Sequence, residues 1–412
     1  MDEQREPRSL RNRGRSRGEF DVDAIHKLTS RSELFIPLSD LETPCLVLDT
    51  GRMRRNIARL KEKLAMHGVP LRPHLKTCKN IDIARLLMPG NAGPATVSTM
   101  REAEYFATAG VRDIVYAVGI SPDKFMRVAA LRAWGVDLSV ILDSLDQARA
   151  LGEYVSAYRD RLPALIEIDG DGNRSGVKPD ATVLLDIGRQ IDASGAELRG
   201  VLTHAGGSYG ATSEDALREA AEQERAAVVK AATRLREAGL SCPVVSVGSS
   251  PTAHFAADLT GVTEVRAGVF VFFDLVMAGI GVCSMSDIAM SVMATVIGHQ
   301  HERGWIIVDA GWMAMSRDRG TARQAVDQGY GVVCDVGGQV LEDLIMTETN
   351  QEHGILAIRP GSHARLPNLS VGTRVRLLPN HACATAAQHD GYHVLEDNGS
   401  VVRAYWPRVR GW

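Results

Sequence analysis

At residues 71–79 the chain reads Leu71-Arg72-Pro73-His74-Leu75-Lys76-Thr77-Cys78-Lys79. Apolar and basic residues alternate up to Lys76, as in a β-strand whose successive side chains point to opposite faces. If residues 71–76 form a strand, Arg72, His74 and Lys76 share one face. Three cationic groups on one face of a buried strand are costly without a function, whereas a solvated edge strand carries basic residues readily. The stretch alone leaves both interpretations open.

The functional interpretation concerns the amine of Lys76. Nearby cations and partial burial both disfavour the charged form of an amine, so they lower its pKa. A lysine that forms a Schiff base attacks a carbonyl with its neutral amine and therefore needs such surroundings. The same positive charge would attract a phosphate group. Lys76 is therefore a candidate nucleophile beside an anion site.

Strand-like runs alternate with amphipathic helical patterns along the following two hundred residues. The predicted strands are Leu71–Lys76, Ala95–Thr99, Asp113–Val118, Leu138–Leu142, Ala164–Asp169, Gly200–His204, Pro243–Gly248 and Glu264–Phe273. The clearest predicted helices are Met100–Gly110, Ser144–Arg159 and Glu214–Gly239. Repeated βα units over roughly 220 residues predict a (β/α)8 barrel, which typically needs about 250 residues. An open doubly wound sheet is less favoured, because no G-x-G-x-x-G turn follows the first strand.

The pattern changes near Met285 to short β-rich runs separated by glycine, asparagine and proline. These runs are Ser291–Gly298, Trp305–Asp309, Arg374–Leu378 and Val401–Trp406. They predict a barrel at residues 39–284 and a mainly β domain at 285–412. Residues 1–38 are rich in arginine and are predicted to be a disordered tail. A transit peptide is disfavoured because acidic residues are interspersed.

The composition indicates a soluble globular enzyme or binding protein. The chain has 412 residues, 45% of them hydrophobic, and a net charge of -3, which gives no reason to expect a nucleic-acid or membrane partner. Six dispersed cysteines without a C-x-x-C pair favour a reducing compartment, so a cytoplasmic location is predicted. The longest apolar stretch, Val269 to Cys283, is too short to span a bilayer and is interrupted by Asp274.

The run R-P-H-L-K-T-C-K resembles the R-P-H-x-K-T-x-K motif of fold-type III pyridoxal-phosphate enzymes. This is the family of D-serine dehydratases, D-threonine aldolases and D-threo-3-hydroxyaspartate dehydratases, and it is related to the alanine racemase barrel. The resemblance extends from about Leu41 to Trp412, and segments such as Gly311–Gly320 are similar to the last of these groups in particular. It implies that pyridoxal 5′-phosphate is bound covalently by Lys76, beside His74.

Two further segments match the family at predicted strand ends. The resemblance places Arg174, in a glycine-rich loop, near the cofactor ring, although a surface loop arginine is the alternative. Tyr209 is a candidate contact for the cofactor or substrate. His204 is explained equally well as a core histidine.

The turn Gly248-Ser249-Ser250 is the candidate phosphate site. Small residues let backbone N–H groups approach a phosphate, and the start of a helix favours negative charge. The seventh and eighth strand ends are also the usual phosphate site of such barrels. The family often has a tyrosine at the position of Phe270, whose hydroxyl bonds the phosphate. Phenylalanine has no hydroxyl group, so phosphate binding would depend more on the turn Gly248-Ser249-Ser250.

His381 and Cys383 are the candidate metal ligands. If residues 379–385 form a strand, both side chains project from one face and are close enough to share an ion. Imidazole with thiolate suits Zn²⁺ best, with Mn²⁺ or Mg²⁺ as alternatives. A buried cysteine beside a polar histidine is the commoner explanation of such a pair, but the family has its divalent-metal ligands here. Its dehydratases tend to have H-x-C, as in this chain, and its aldolases H-C-D.

The resemblance implies a dehydratase, or ammonia-lyase, that converts a D-β-hydroxy amino acid such as D-threo-3-hydroxyaspartate or D-serine to a 2-oxo acid and ammonia. Lys76 would remove the Cα proton, and the metal would act as a Lewis acid on the β-hydroxyl. The alternatives are aldolase cleavage to glycine and an aldehyde, epimerisation or racemisation, and a non-catalytic pyridoxal-phosphate carrier. Known carriers consist of the barrel alone, which disfavours the last. A homodimer with a small-molecule D-amino acid as its only other partner is predicted.

Overall fold

The structure, a computed structural model, describes residues 32–397 and 399–412. Most of the predicted tail, residues 1–31, lies outside the described residues. Its last part does not: Ser32–Pro37 forms strand β1, which pairs with a strand near the C-terminus. The next strand, β2 (Cys45–Asp49), belongs to the same sheet. The β domain therefore includes the start of the described chain, which the predicted boundaries assigned to the tail and the barrel.

Parallel strands form a barrel, in which each strand lies beside the strands that precede and follow it along the chain. The first and second strands are joined only by a single bridge between His74 and Thr96, so the barrel is nearly closed. All eight predicted strands occur, and the predicted (β/α)8 barrel is confirmed. The strands are β3 (Leu71–Pro73), β4 (Ala95–Val97), β5 (Asp113–Gly119), β6 (Asp137–Leu142), β7 (Pro163–Ile168), β8 (Glu197–Thr203), β9 (Val244–Val247) and β10 (Glu264–Ala267).

Polar side chains start many of the barrel helices. Asn80, Thr99, Ser144, Ser213 and Ser249 each accept a hydrogen bond from the backbone N–H three residues further on, which satisfies a donor that the first turn leaves unpaired. The helices of this part are α1 (Thr50–Met66), α2 (Ile81–Leu87), α3 (Met100–Thr108), α4 (Phe125–Ala133), α5 (Leu145–Tyr158), α6 (Val183–Ala193), α7 (Glu214–Glu237), α8 (Ser250–Phe255) and α9 (Leu275–Gly279). None of the described helices is both long and apolar enough to cross a membrane.

The strand β3 is shorter than predicted, and the three basic side chains of residues 71–76 do not share one face of it. It ends at Pro73, and Lys76 lies in the turn that follows. Arg72 is paired with Asp113 at 2.6 Å and with Glu264 at 2.7 Å. A largely buried guanidinium needs such partners, because an unpaired charge in the interior is costly. Arg72 is therefore part of a structural ion-pair network, and the predicted shared face of three cations is wrong.

The second domain is mainly β, as predicted. Its strands after the barrel are β11 (Met290–Gln300), β12 (Trp305–Val308), β13 (Val332–Cys334), β14 (Val340–Thr349), β15 (Gly354–Ile358), β16 (Arg374–Leu378), β17 (Gly391–Leu395) and β18 (Val401–Pro407). Six of these strands form a closed ring, because β11 pairs with both β12 and β16. On its other side β11 pairs with β2, and β17, β18 and β1 extend the sheet beyond β2. Two short helices, α10 (Trp312–Met315) and α11 (Ala382–Ala386), interrupt them.

Candidate active site

A cavity of about 440 Å³ lies where the C-terminal ends of the barrel strands face the β domain. Its volume is in the range typical of small-molecule sites. All nine residues predicted for the cofactor and the metal line this one cavity: His74, Lys76, Arg174, Tyr209, Gly248, Ser249, Ser250, His381 and Cys383. The cavity therefore gathers residues that are more than 300 positions apart in the chain.

Lys76 reaches the cavity from the turn after β3. His74, just before it, has its Nε2 3.3 Å from the hydroxyl of Ser98, and its Nδ1 is 3.5 Å from the backbone nitrogen of Lys76. Burial lowers the pKa of His74 well below its usual 6.5, and the charges of Lys76 and Arg266 lower it further. His74 is therefore a neutral imidazole at physiological pH.

His204 is neutral for the same reason. Burial lowers its pKa to about 4, although its Nδ1 donates a 2.5 Å hydrogen bond to the carbonyl oxygen of Gly248. Tyr209 is close by, with its ring centroid 6.1 Å from that of His204. Burial raises the pKa of Tyr209, so the phenol stays protonated. Both side chains thus present uncharged polar groups to the cavity.

Arg174 lies in the loop after β7, with 64% of its side chain exposed. Its guanidinium is 3.6 Å from Glu167, a buried residue of β7 that also accepts a hydrogen bond from Ser175. The carboxylate of Asp143 fixes the end of this loop through the N–H of Gly176 at 2.8 Å. Arg174 is therefore both a loop arginine and part of the cavity wall, and Glu167 is a site carboxylate to which the sequence pattern assigned no role.

The turn after β9 presents little besides backbone and hydroxyl groups to the cavity. A Cβ atom on Gly248 would lie 2.2 Å from the carbonyl oxygen of Arg266, and one on Gly268 would lie 2.9 Å from that of His74. Only glycine fits at such close approaches. The hydroxyl of Ser250 accepts from the N–H of Phe270 at 3.2 Å, which orders the turn against the next strand end. Backbone of this kind, free of bulky side chains, suits a phosphate.

A buried carboxylate, Glu224, holds this turn from behind. Its Oε1 accepts hydrogen bonds from the N–H of Gly248 at 3.0 Å and of Ala205 at 2.9 Å, and its Oε2 accepts from the hydroxyl of Thr252 at 2.6 Å. It thus ties together the ends of β8 and β9 and the start of α8. Sequence reasoning missed it, although a signal exists: Glu224 falls on the buried stripe of α7, three residues after Ala221.

Arg266 is a second charged residue that sequence reasoning missed. It is 5% exposed and lines the cavity, and it donates to the hydroxyl of Ser246 and to the carbonyl oxygen of Thr203, both at 2.5 Å. Burial lowers its pKa, while Glu264 and Glu224 oppose that effect. The available signal was an arginine among the apolar residues that follow Glu264.

His381 and Cys383 come together in a different way from the one predicted. β16 ends at Leu378, and the two residues lie at the start of α11, with His381 in extended conformation just before the helix and Cys383 in its first turn. The predicted strand at 379–385 is therefore wrong. The turn between β16 and α11 is held by Asn380, whose side-chain amide donates to the carbonyl oxygens of Asp318 at 3.0 Å and Gly329 at 2.7 Å.

The pair has the surroundings of a metal site with two protein ligands. His381 Nδ1 donates to the carboxylate of Asp318 at 2.7 Å, which leaves Nε2 as the ring nitrogen for an ion. Cys383 Sγ is 3.3 Å from the hydroxyl of Thr77, the neighbour of Lys76. Although burial opposes ionisation, the neighbouring imidazole of His381 and the charge of Lys76 lower the pKa of the Cys383 thiol. No larger group of His, Cys, Asp or Glu converges on one point within the described residues. An imidazole and a thiolate fit a zinc-type ion that keeps open positions.

Comparison with known proteins agrees with this architecture. A family model described as the alanine racemase N-terminal domain matches residues 48–276, and one described as a putative serine dehydratase domain matches residues 289–395. Fold and site thus define an alanine racemase-like enzyme with an added β domain. The chain belongs to the family of pyridoxal-phosphate-dependent lyases that includes D-serine dehydratases and D-threonine aldolases.

Within this family the chain is similar to D-threo-3-hydroxyaspartate dehydratase from Delftia sp. (strain HT23). The two are 53% identical over 91% of this chain and 99% of that protein, and the solved structure of that enzyme superposes with a TM-score of 0.88 over 92% and 100% of the two chains at 52% identity. A solved variant of D-threo-3-hydroxyaspartate dehydratase, in which a cysteine is replaced by alanine, is in a metal-free form. It is 53% identical, with a TM-score of 0.87 over 91% and 100% of the chains.

Relatives with other activities are more distant. D-serine dehydratase from Dictyostelium discoideum is 26% identical over 90% of this chain and 97% of that protein. D-threonine aldolase from an Arthrobacter species is 27% identical over 90% and 93%.

We predict that Glu224→Ala destabilises the protein and loosens the turn at Gly248. The variant leaves two buried N–H groups and one hydroxyl without their acceptor, and each such group costs about 1–3 kcal/mol. Thermal unfolding should therefore occur at a clearly lower temperature than in the parent. Glu219→Ala, an exposed change on the same helix, is the matched control and should leave Tm unchanged. Equal Tm values for the two variants would contradict the role of Glu224.

Proposed function

We propose that this chain is a pyridoxal-phosphate- and divalent-metal-dependent dehydratase that converts D-threo-3-hydroxyaspartate, or a similar D-β-hydroxy amino acid, to a 2-oxo acid and ammonia. The observation that carries the proposal is that Lys76 and the His381–Cys383 pair line one cavity, where the residue after Lys76 contacts Cys383. A reaction that removes a Cα proton and a β-hydroxyl needs a base and an acid catalyst for the leaving hydroxyl within the length of one small amino acid, and a metal can be that catalyst. The similarity to the Delftia dehydratase supports the same substrate class.

The residues present fit the expected cofactor. Lys76 would hold its aldehyde carbon, and the turn at Gly248 would receive its phosphate. When bound, pyridoxal 5′-phosphate supplies an electron sink that makes the Cα proton of an amino acid acidic. Arg174, paired with Glu167, would face the ring. The neutral imidazole of His204 and the phenol of Tyr209 would orient the ring and the substrate without adding charge.

Lys76 is the base that this proposal requires. With cofactor and substrate bound, the amino group of Lys76 would lie within the cavity as the general base for the Cα proton. Burial lowers the pKa of His74 well below 6.5, which makes its imidazole too weak a base to compete for that proton. The side chain of Lys76 is exposed within the cavity, so a substrate can reach its amino group.

His381 and Cys383 would hold the metal, with Asp318 fixing the ring of His381. The pair favours Zn²⁺, with Mn²⁺ or Mg²⁺ as alternatives. A metal here would supply a Lewis acid for the β-hydroxyl that leaves. The metal-free state of a cysteine-to-alanine variant of a relative supports the assignment of a cysteine ligand. A homodimer and a cytoplasmic location remain predictions from the sequence.

We predict that Lys76→Ala abolishes both turnover and the visible absorption of bound cofactor, because the covalent link and the base are lost together. Absorption spectra and ammonia release test this. Lys63→Ala, on helix α1 outside the cavity, is the control and should behave as the parent. Full turnover by Lys76→Ala would refute the assignment.

We also predict that a chelator stops turnover while the cofactor absorption persists, and that Zn²⁺ or Mn²⁺ restores activity. Cys383→Ala should hold less zinc than the parent and turn over more slowly, since one of two protein ligands is gone. Metal analysis by mass spectrometry is the measurement, with buried Cys242→Ala as the control. An active parent protein that contains no metal would exclude the metal-dependent mechanism.

Product analysis decides between dehydration and carbon–carbon cleavage. With D-threo-3-hydroxyaspartate we expect oxaloacetate and ammonia, in line with the H-x-C pair and the dehydratase relative. A tenfold preference needs only about 1.4 kcal/mol between the two barriers, so the products have to be measured. Glycine and glyoxylate as the main products would instead show an aldolase.

A further inference from the structure

Asp274 lies inside the longest apolar run of the chain and is 2% exposed. It lines the cavity, and its two carboxylate oxygens accept hydrogen bonds from two different segments of the chain. Oδ1 accepts from the N–H of Met277 at 3.0 Å, which starts helix α9. Oδ2 accepts from the N–H of Ala382 at 2.9 Å. Ala382 is the residue between His381 and Cys383, so this hydrogen bond falls at the centre of the proposed metal loop.

Two backbone hydrogen bonds join the same segments. Leu275 N–H donates to the carbonyl oxygen of Pro379 at 3.0 Å, and Val276 N–H donates to that of Asn380 at 3.2 Å. Together with the bond from Ala382 to Asp274, they form a three-bond clasp between the loop after β10 and residues 379–382 of the β domain. The clasp therefore joins the loop after the last barrel strand to the segment that carries the two ligands, in addition to the contact between Thr77 and Cys383.

The clasp requires an aspartate and not merely a helix-capping residue. Serine or asparagine would cap α9 as well as aspartate does. Asparagine, however, has one acceptor oxygen, and its NH₂ group cannot accept the N–H of Ala382. A buried carboxylate also costs free energy that a simple cap would avoid. The positive charge of a metal bound nearby would offset the cost of burying the carboxylate.

We propose that Asp274 is a positioning residue for the metal, which it serves by fixing the backbone between His381 and Cys383. The proposal rests on the proposed function, because it concerns the metal of the same site. Asp318 orients the ring of His381, Asn380 holds the turn, and Asp274 sets the spacing of the two ligands along the chain. Outer partners of metal ligands typically change metal affinity by 10–100-fold.

The test compares Asp274→Asn with the parent, both loaded with pyridoxal 5′-phosphate. Competition with a chromophoric chelator measures the dissociation constant of Zn²⁺. We expect an increase of roughly 10–100-fold in the variant, with unchanged cofactor absorption. Asp274→Ser keeps the cap of α9 but is too short to reach both donors, so it should weaken zinc binding equally. Asp287→Asn, which alters a capping carboxylate outside the cavity, is the matched control and should bind zinc as the parent does.

The outcomes separate this inference from the proposed function. A parent protein that binds zinc, with an unchanged constant in Asp274→Asn, overturns the inference alone. Loss of cofactor absorption in step with loss of zinc also overturns it, because the change would then affect the whole fold. A parent protein that binds none of Zn²⁺, Mn²⁺ and Mg²⁺ removes the metal from the proposed function and overturns this inference with it.

Discussion

The burial of charged side chains around one cavity is the constraint on which this structure depends. Ionised groups in a protein interior need hydrogen-bonding partners, and these partners fix the backbone that supplies them. Glu224 gathers N–H groups from two strand ends, and Arg266 crosses between two strands of the barrel. The hydrogen bonds that stabilise these charges therefore also hold the strand ends in position.

The two domains contribute different chemistry to the cavity. The barrel supplies Lys76 and the turn at Gly248, and the β domain supplies His381 and Cys383. Neither domain by itself supplies both the candidate cofactor residues and the candidate metal ligands. The chain enters through the β domain, forms the barrel and returns, so two covalent connections join the domains. The Asp274 clasp is one of several sets of hydrogen bonds between them, which include the bond from the hydroxyl of Tyr392 to the carbonyl oxygen of Cys78.

The candidate functional side chains lie just beyond regular elements. Lys76 follows β3, Arg174 follows β7, and His381 precedes α11. At strand ends the backbone leaves the ladder, so side chains can converge on one point from several strands. A residue within a barrel strand, such as Arg72, is instead bound to neighbours across the sheet.

Much of this protein was determined by its sequence alone. Hydrophobic periodicity is local, so it predicted the barrel strands and the change to β structure. The motif around Lys76 indicated the family, and together with the matching segments further along the chain it indicated nine residues that line the cavity. Tertiary structure decided the rest, because it depends on contacts between distant segments. The pairing of Arg72 with Asp113 and Glu264, the membership of Cys45–Asp49 in the β domain, and the helical start that aligns His381 with Cys383 are of this kind. Glu224 and Asp274 looked like polar interruptions of apolar runs, and only the folded chain shows which N–H groups each carboxylate accepts.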